Sequence, residues 1–205
     1  MAQSVDTSLP SGHIAAFFDI DNTIMRGTSI YHLARGLFSR KILSAQDLAN
    51  YAIVQGRFLM AGTSESSADL AKLTESALSF VTGRTSTELA TLCEEIYDEI
   101  MADKVWPGTV QLARSHRAAG HQVWLVSAAP IELAKIIATK LGLTGAVATV
   151  SEIVDGVYTG KLESAPMHGP AKADALHRLA DQHDIDLAQS FAYSDSSNDI
   201  PLLTV

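Results

Sequence analysis

The apolar run Ile14-Ala15-Ala16-Phe17-Phe18 passes without a break into Asp19-Ile20-Asp21-Asn22-Thr23. A short apolar run bounded by polar residues fits a buried strand, and strand side chains repeat with period two. Two carboxylates one residue apart at the end of such a strand therefore point the same way. Like charges so placed repel and raise one another's pKa unless a cation lies with them. Magnesium is the expected cation, because it is a hard ion that takes oxygen ligands and keeps waters and substrate phosphate in its remaining positions.

The same pattern returns twice. Gln122-Val123-Trp124-Leu125-Val126 reads as a second buried strand and delivers Ser127 at its carboxyl end. Phe191-Ala192-Tyr193 reads as a third, followed by Ser194-Asp195-Ser196-Ser197-Asn198-Asp199. Between them Gly169-Pro170-Ala171-Lys172 opens a helix, with Pro170 suited to its first position and Lys172 in its first turn. In an open parallel sheet ligands bind outside the carboxyl ends of the strands. The three polar clusters and the lysine are therefore expected to meet at one place.

After the first strand the period changes from two to that of a helix. Ile30, Leu33, Ala34 and Leu37 share one helical face, and Leu48, Tyr51, Ala52, Phe58 and Leu59 another. Leu70, Leu73, Ala77, Phe80 and Val81 mark a third. Thr85 with Glu88 is a capping-box signature before a helix whose stripe is Leu89, Leu92, Cys93, Ile96 and Ile100. Residues 28–102 thus read as a helical insertion, and Trp106-Pro107-Gly108 marks the return to alternating strands and helices. Residues 109–119 and 130–141 read as helices ended by Gly120 and Gly142. Asp155-Gly156, between Ile153-Val154 and Val157-Tyr158, is a hairpin-turn signal, and Lys172, Leu176, Leu179 and Ala180 continue a further helix. The pattern predicts an α/β fold, a doubly wound and mostly parallel sheet with an inserted α-helical cap domain. The catalytic core is expected in 13–27 and 103–205, the cap in 28–102, and a disordered lead-in in 1–12.

Taken singly, each polar cluster has a plainer reading: an acidic pair that caps a helix, a turn serine, a solvated lysine, two aspartates at a helix N-terminus. Their order, spacing and strand contexts together resemble the haloacid dehalogenase superfamily of phosphotransferases over residues 13–205. The motif D-x-D-x-T matches Asp19, Asp21 and Thr23; the second motif matches Ser127, the third Lys172, and D-x-x-x-D matches Asp195 and Asp199. The helical insertion between the first and second motifs is similar to the cap of the phosphoserine phosphatase branch. This resemblance implies a Rossmann-like core and a magnesium-dependent phosphomonoester hydrolase that works through a phosphoaspartyl intermediate. Asp19 would be the nucleophile and Asp21 the acid and then the base. The metal set would be the Asp19 carboxylate, the Asp21 main-chain carbonyl and Asp195, with Asp199 orienting the last loop or reaching the metal through water. Thr23, Ser127, the Ala128 backbone, Lys172 and Asn198 would hold the phosphoryl group. Asp21 favours phosphate esters, whose leaving oxygen needs a proton, over halides, which need none.

The resemblance also frames what differs. Phosphoserine phosphatases usually carry a glutamate where this chain has Thr28, so Arg26, Thr28 and Arg84 become the candidate recognition residues. The second motif reads Ser127-Ala128-Ala129-Pro130 where Ser-Gly-Gly is usual, and Ser194 stands where glycine is common. A protein of this family would continue into another strand and helix after Val205, so a further carboxyl-terminal portion is expected.

Composition narrows the partners. A net charge of -8 argues against a nucleic-acid partner, which usually shows a basic patch or stripe. The single cysteine, Cys93, lies on an apolar stripe and is read as a packing residue, which suits a reducing compartment. The amino-terminal residues lack the basic stretch and apolar core of a secretory signal. No apolar run approaches a membrane span, and a cytoplasmic protein is expected. A closing cap selects a small phosphomonoester as substrate. Two other classes stay open: a phospho-accepting receiver-type signalling domain, and a non-catalytic magnesium or phosphoester-binding module.

Overall fold

The computed structural model describes residues 12–44, 81–167 and 169–205. The expected lead-in up to residue 11, and the helical faces expected from Leu48 to Leu59 and from Leu70 to Phe80, lie outside the described residues.

Four parallel strands form the main sheet: β1 (Ala15–Phe18), β2 (Gln122–Pro130), β3 (Gly145–Thr149) and, last in sequence, β6 (Phe191–Tyr193). Their spatial order is β3-β2-β1-β6. β1 pairs with β2 so that Phe18 lies opposite Leu125, and with β6 so that Phe18 lies opposite Tyr193. Alternation within β1 sends Ala16 and Phe18 to one face and Ala15 and Phe17 to the other, and all four are buried. A strand covered on both faces needs helices on both sides, which accounts for the unbroken apolar run in the sequence.

On one face Phe18 and Leu125 share a core cluster with Leu33 and Leu37 of α1 (Ser29–Ser39), Leu89, Cys93 and Ile96 of α2 (Ser86–Ile96), Ala113 of α3 (Pro107–Ala118) and Leu133 and Ile137 of α4 (Ile131–Leu141). On the other, Phe17, Trp124 and Val126 pack with Leu176 and Leu179 of α5 (Pro170–His183) and Leu202 of α6 (Ile200–Leu203). The described ends of the 28–102 insertion therefore share the core of the sheet. The chain leaves and re-enters side by side there: Arg26 N donates to Lys104 O, and Trp106 N to Ile24 O, both at 2.8 Å.

Local signals explain most boundaries. α2 starts with both reciprocal bonds of the Thr85–Glu88 capping box. α3 starts at Pro107, two residues before the expected 109, because proline fits a first helical position. Strands β4 (Ser151–Val154) and β5 (Val157–Leu162) form an antiparallel hairpin. Its turn has φ 52° at Asp155 and 79° at Gly156, the left-handed pair that such turns require. β2 runs past Val126, where the apolar run ends, through an irregular register to Pro130 opposite Thr149. The hydroxyl of Thr149 donates to Ala128 O at 2.8 Å and holds that extension. Among the described residues no helix is long and apolar enough to cross a membrane.

Two predictions follow from packing. At Gly36 of α1, a Cβ would lie 2.6 Å from Cγ1 and Cγ2 of buried Ile96 on α2. Helix propensity alone would make Gly36→Ala stabilising by about 1 kcal/mol. The overlap with a stiff β-branched side chain is larger, so urea unfolding is expected to show a net loss of about 1–3 kcal/mol. The second concerns buried His116, whose Nδ1 is 2.9 Å from Nδ1 of His121 and whose Nε2 is 2.9 Å from the Tyr193 hydroxyl. Burial, helped by His121, lowers its pKa from the ordinary value of 6.5. The unfolded chain thus binds this proton more readily, so the stability it confers is present above pH 6.5 and is lost as pH falls through the lowered folded-state value. Unfolding free energy measured from about pH 5 to pH 7 should rise more steeply for the wild type than for His116→Phe.

Candidate active site

Asp19 leaves β1 at the carboxyl edge of the sheet, its N–H extending the ladder to Tyr193 O at 2.9 Å. The chain then turns sharply, with Ile20 O accepting from the N–H groups of Thr23, Ile24 and Met25. Asn22 sits in the left-handed region at φ 55°, and its side-chain oxygen accepts from Gly27 N at 2.9 Å. Buried Ile20, Ile24 and Met25 anchor the turn from below. The turn leaves Asp19 and Asp21 with different surroundings.

Lys172, in the first turn of α5, is 4 % exposed, and its ammonium donates to Asp19 Oδ1 at 2.7 Å and to Asp199 Oδ2 at 2.8 Å. Asp199 Oδ2 also accepts from the Ser194 hydroxyl at 2.7 Å, and Ser194 Oγ accepts from Ser196 N at 3.1 Å. Thr23 binds Asp195 in two ways: its hydroxyl donates to Asp195 Oδ1 at 3.3 Å and accepts from Asp195 N at 3.1 Å. Asp21 faces another way, with Oδ1 accepting from the N–H and the hydroxyl of Ser29 at 2.8 and 2.6 Å. Side chains from β1, α1, α5 and the loop after β6 are thereby joined at one sheet edge.

The electrostatics follow from burial. Burial raises Asp19 to about 6, against the pull of Lys172 and with added repulsion from Asp21 and Asp199. Burial also raises Asp21, opposed by the Ser29 hydrogen bonds and by Lys172 and assisted by Asp195. For Lys172 burial acts downward, and the two carboxylates more than offset it, so its pKa stands above the ordinary lysine value.

Ser127 is buried, two positions beyond the Leu125 that pairs with Phe18, and its Oγ accepts from Ala129 N at 3.1 Å. Ala128 is exposed at the same edge. Asn198 is exposed in the short turn Ser197–Asp199, where its N–H donates to Ser196 Oγ. The recognition candidates are placed otherwise. The Arg26 guanidinium lies over the Trp106 ring, 4.7 Å from its centroid. Thr28 is exposed and gives α1 no side-chain cap. Arg84 accepts from Tyr158 N through its carbonyl, beside the β4–β5 hairpin. Sequence reasoning did not single out Ser29 as a partner of Asp21, nor Ser194 as a partner of Asp199. The usable signal for Ser29 was a small hydroxyl residue opening a helix behind a threonine.

Among the described residues no three His, Cys, Asp or Glu side chains gather as a metal-holding group. A set made of the Asp19 and Asp195 carboxylates and the Asp21 main-chain carbonyl does not require three. It is all oxygen and leaves positions for water, which fits magnesium. The mutual repulsion that Asp19, Asp21, Asp195 and Asp199 exert also favours an added cation.

Comparison with known proteins agrees with this arrangement. Residues 16–204 match the family model of the haloacid dehalogenase-like hydrolases. Over 191 residues the chain is 48 % identical to a Mycobacterium tuberculosis H37Rv protein named phosphoserine phosphatase SerB1, covering 93 % of this chain and 62 % of that one. The chain thus spans about three fifths of the length of that relative. A crystal structure of a Bordetella pertussis Tohama I protein with unknown function is similar with a TM-score of 0.81 and 26 % identity, covering 94 % of this chain and 86 % of that one. A phospho-aspartyl intermediate analogue of phosphoserine phosphatase shares the fold with a TM-score of 0.59 at 18 % identity, covering 93 % and 82 % of the two chains. With its four motifs at one sheet edge and a family match along nearly its whole length, the chain belongs to the haloacid dehalogenase-like hydrolases.

Proposed function

We propose that the protein is a magnesium-dependent phosphomonoester hydrolase that acts on a small phosphorylated metabolite through a phosphoaspartyl intermediate. The observation that carries the reading is the unequal treatment of two neighbouring carboxylates. Asp19 is held by a buried ammonium, and Asp21 is clamped by Ser29. A nucleophile and a proton donor need this separation of roles, because one must stay anionic while the other exchanges a proton.

In the first half-reaction an Asp19 oxygen bonds to phosphorus as the bond to the ester oxygen breaks. Asp21 gives its proton to that oxygen. In the second half-reaction Asp21 takes a proton from water, whose oxygen displaces the Asp19 carboxylate from phosphorus. Splitting hydrolysis in this way replaces one difficult step by two easier ones. Lys172, Ser127, the Ala128 backbone and Asn198 meet the phosphoryl oxygens, where neutralising charge matters most. Asp199 acts on Lys172 and so reaches the phosphate indirectly, a role its contacts with Lys172 and Ser194 support better than metal ligation. Thr23 likewise steadies Asp195. Magnesium, held by Asp19, Asp195 and the Asp21 carbonyl, supplies positive charge beside the phosphoryl group.

Residues 28–102 serve in this reading as the cap that limits access to small substrates and excludes water from the reacting phosphate. The name of the M. tuberculosis relative makes phosphoserine the first substrate to try. Thr28, Arg26 and Arg84 in place of a recognition carboxylate make anionic or neutral leaving groups equal candidates. A reducing, cytoplasmic setting suits such metabolites.

Phosphate release from a panel of small phosphomonoesters that includes phosphoserine tests the reading. Turnover is expected with magnesium, and chelation or Asp19→Asn should lower it by a factor of about a thousand or more. Absence of magnesium-dependent release from every ester would refute the assignment.

A further inference from the structure

Among the described residues the Asp21 carboxyl is held through one oxygen alone. Oδ1 accepts both the main-chain N–H and the hydroxyl of Ser29. Ser29 is wholly buried and is the first residue of α1. Thr28 at the N-cap makes no side-chain bond to the helix, so Asp21, eight residues upstream of Ser29, supplies the acceptor that a helix N-terminus favours. In a neutral carboxylic acid one oxygen carries the hydrogen and donates, while the carbonyl oxygen is left to accept. An oxygen that already accepts two donors is the carbonyl oxygen. The hydrogen of neutral Asp21 therefore belongs on Oδ2.

We infer that Ser29 is the positioning residue for proton transfer: by fixing Oδ1 it presents Oδ2 to the reacting oxygens. The inference rests on Asp21 acting as acid and base in the proposed reaction. When the ester bond breaks, the Oδ2–H bond breaks with it and the leaving oxygen takes the proton. The carboxylate left behind keeps both Ser29 hydrogen bonds, which are stronger to an anion than to a neutral acceptor. When water attacks, its proton goes to Oδ2 and the neutral acid is restored. Neither step changes the partners of Oδ1. A serine that only capped α1 would affect every substrate alike.

That difference supplies the test. Values of kcat/KM are measured with magnesium for the wild type, Ser29→Ala, Asp21→Asn and the double variant, on an alkyl phosphate and on p-nitrophenyl phosphate. An alkyl alcohol needs a proton to leave, whereas nitrophenolate needs little help. Ser29→Ala is expected to lose about tenfold or more on the alkyl ester and at least about threefold less than that on the aryl ester. In the Asp21→Asn background it should add no further loss on the alkyl ester. Urea unfolding of the same four proteins separates these effects from damage to the fold. Equal losses on both esters, additive losses in the double variant, or no loss at all would each overturn the inference. If the wild type releases phosphate from neither ester, the hydrolase reading itself has failed and the inference with it, a result distinct from a working enzyme indifferent to Ser29.

Discussion

A buried ammonium between two buried carboxylates sets the terms for this site. Lys172, Asp19 and Asp199 come from the start of α5, the end of β1 and the turn after β6, and Lys172 lies 153 positions from Asp19. Each of these charges would be strongly unfavourable if buried alone, and the set is tolerable only when the hydrogen bonds are complete. The sheet order makes them complete. β6 lies beside β1, so the Asp199 turn opens next to Asp19, and α5 packs on the face of the sheet that Phe17 and Trp124 occupy. Functional geometry and native packing are therefore one condition.

The rest of the site is secondary to that triad. Thr23 ties the first motif to Asp195, Ser194 ties the last loop to Asp199, and Ser29 ties Asp21 to the first helix of the insertion. Each tie is a short hydroxyl that meets a carboxylate, and those of Thr23 and Ser29 join different parts of the chain. At Asp21 and Asp199, which are withdrawn from solvent, such bridges replace lost water. They also explain how Asp19 and Asp21, two residues apart, have distinct surroundings. Family membership rests on the match over residues 16–204, while the proposed division of roles rests on these few contacts.

Much of this was legible in the sequence because it repeats. Strands β1, β2 and β6 showed as apolar runs, although β6, expected to be buried like the others, lies at the edge of the sheet with Phe191 exposed. The Cys93 helix showed as a stripe with Leu89 and Ile96 on it, and the β4–β5 turn as Asp155-Gly156. What does not repeat was harder to read. The extension of β2 to Pro130 depends on a hydroxyl of β3, Thr149, which no local pattern announces. The resemblance left Asp199 either orienting the last loop or reaching the metal through water, and only the structure shows that its carboxylate faces Lys172 and Ser194. Arg26 was a candidate recognition residue, and in the structure its guanidinium covers Trp106. Hydrogen-bond choice among nearby polar groups depends on tertiary contacts, and residue spacing carries little of it.

The central claim is that Lys172 neutralises two buried carboxylates and that the site holds together on that account. Equilibrium unfolding of Lys172→Met at neutral pH tests it most directly. The isosteric variant keeps the volume and leaves Asp19 and Asp199 buried without their cation, so a loss of about 3–5 kcal/mol is expected. A loss below about 1 kcal/mol, the range of an exposed ion pair, would contradict the account.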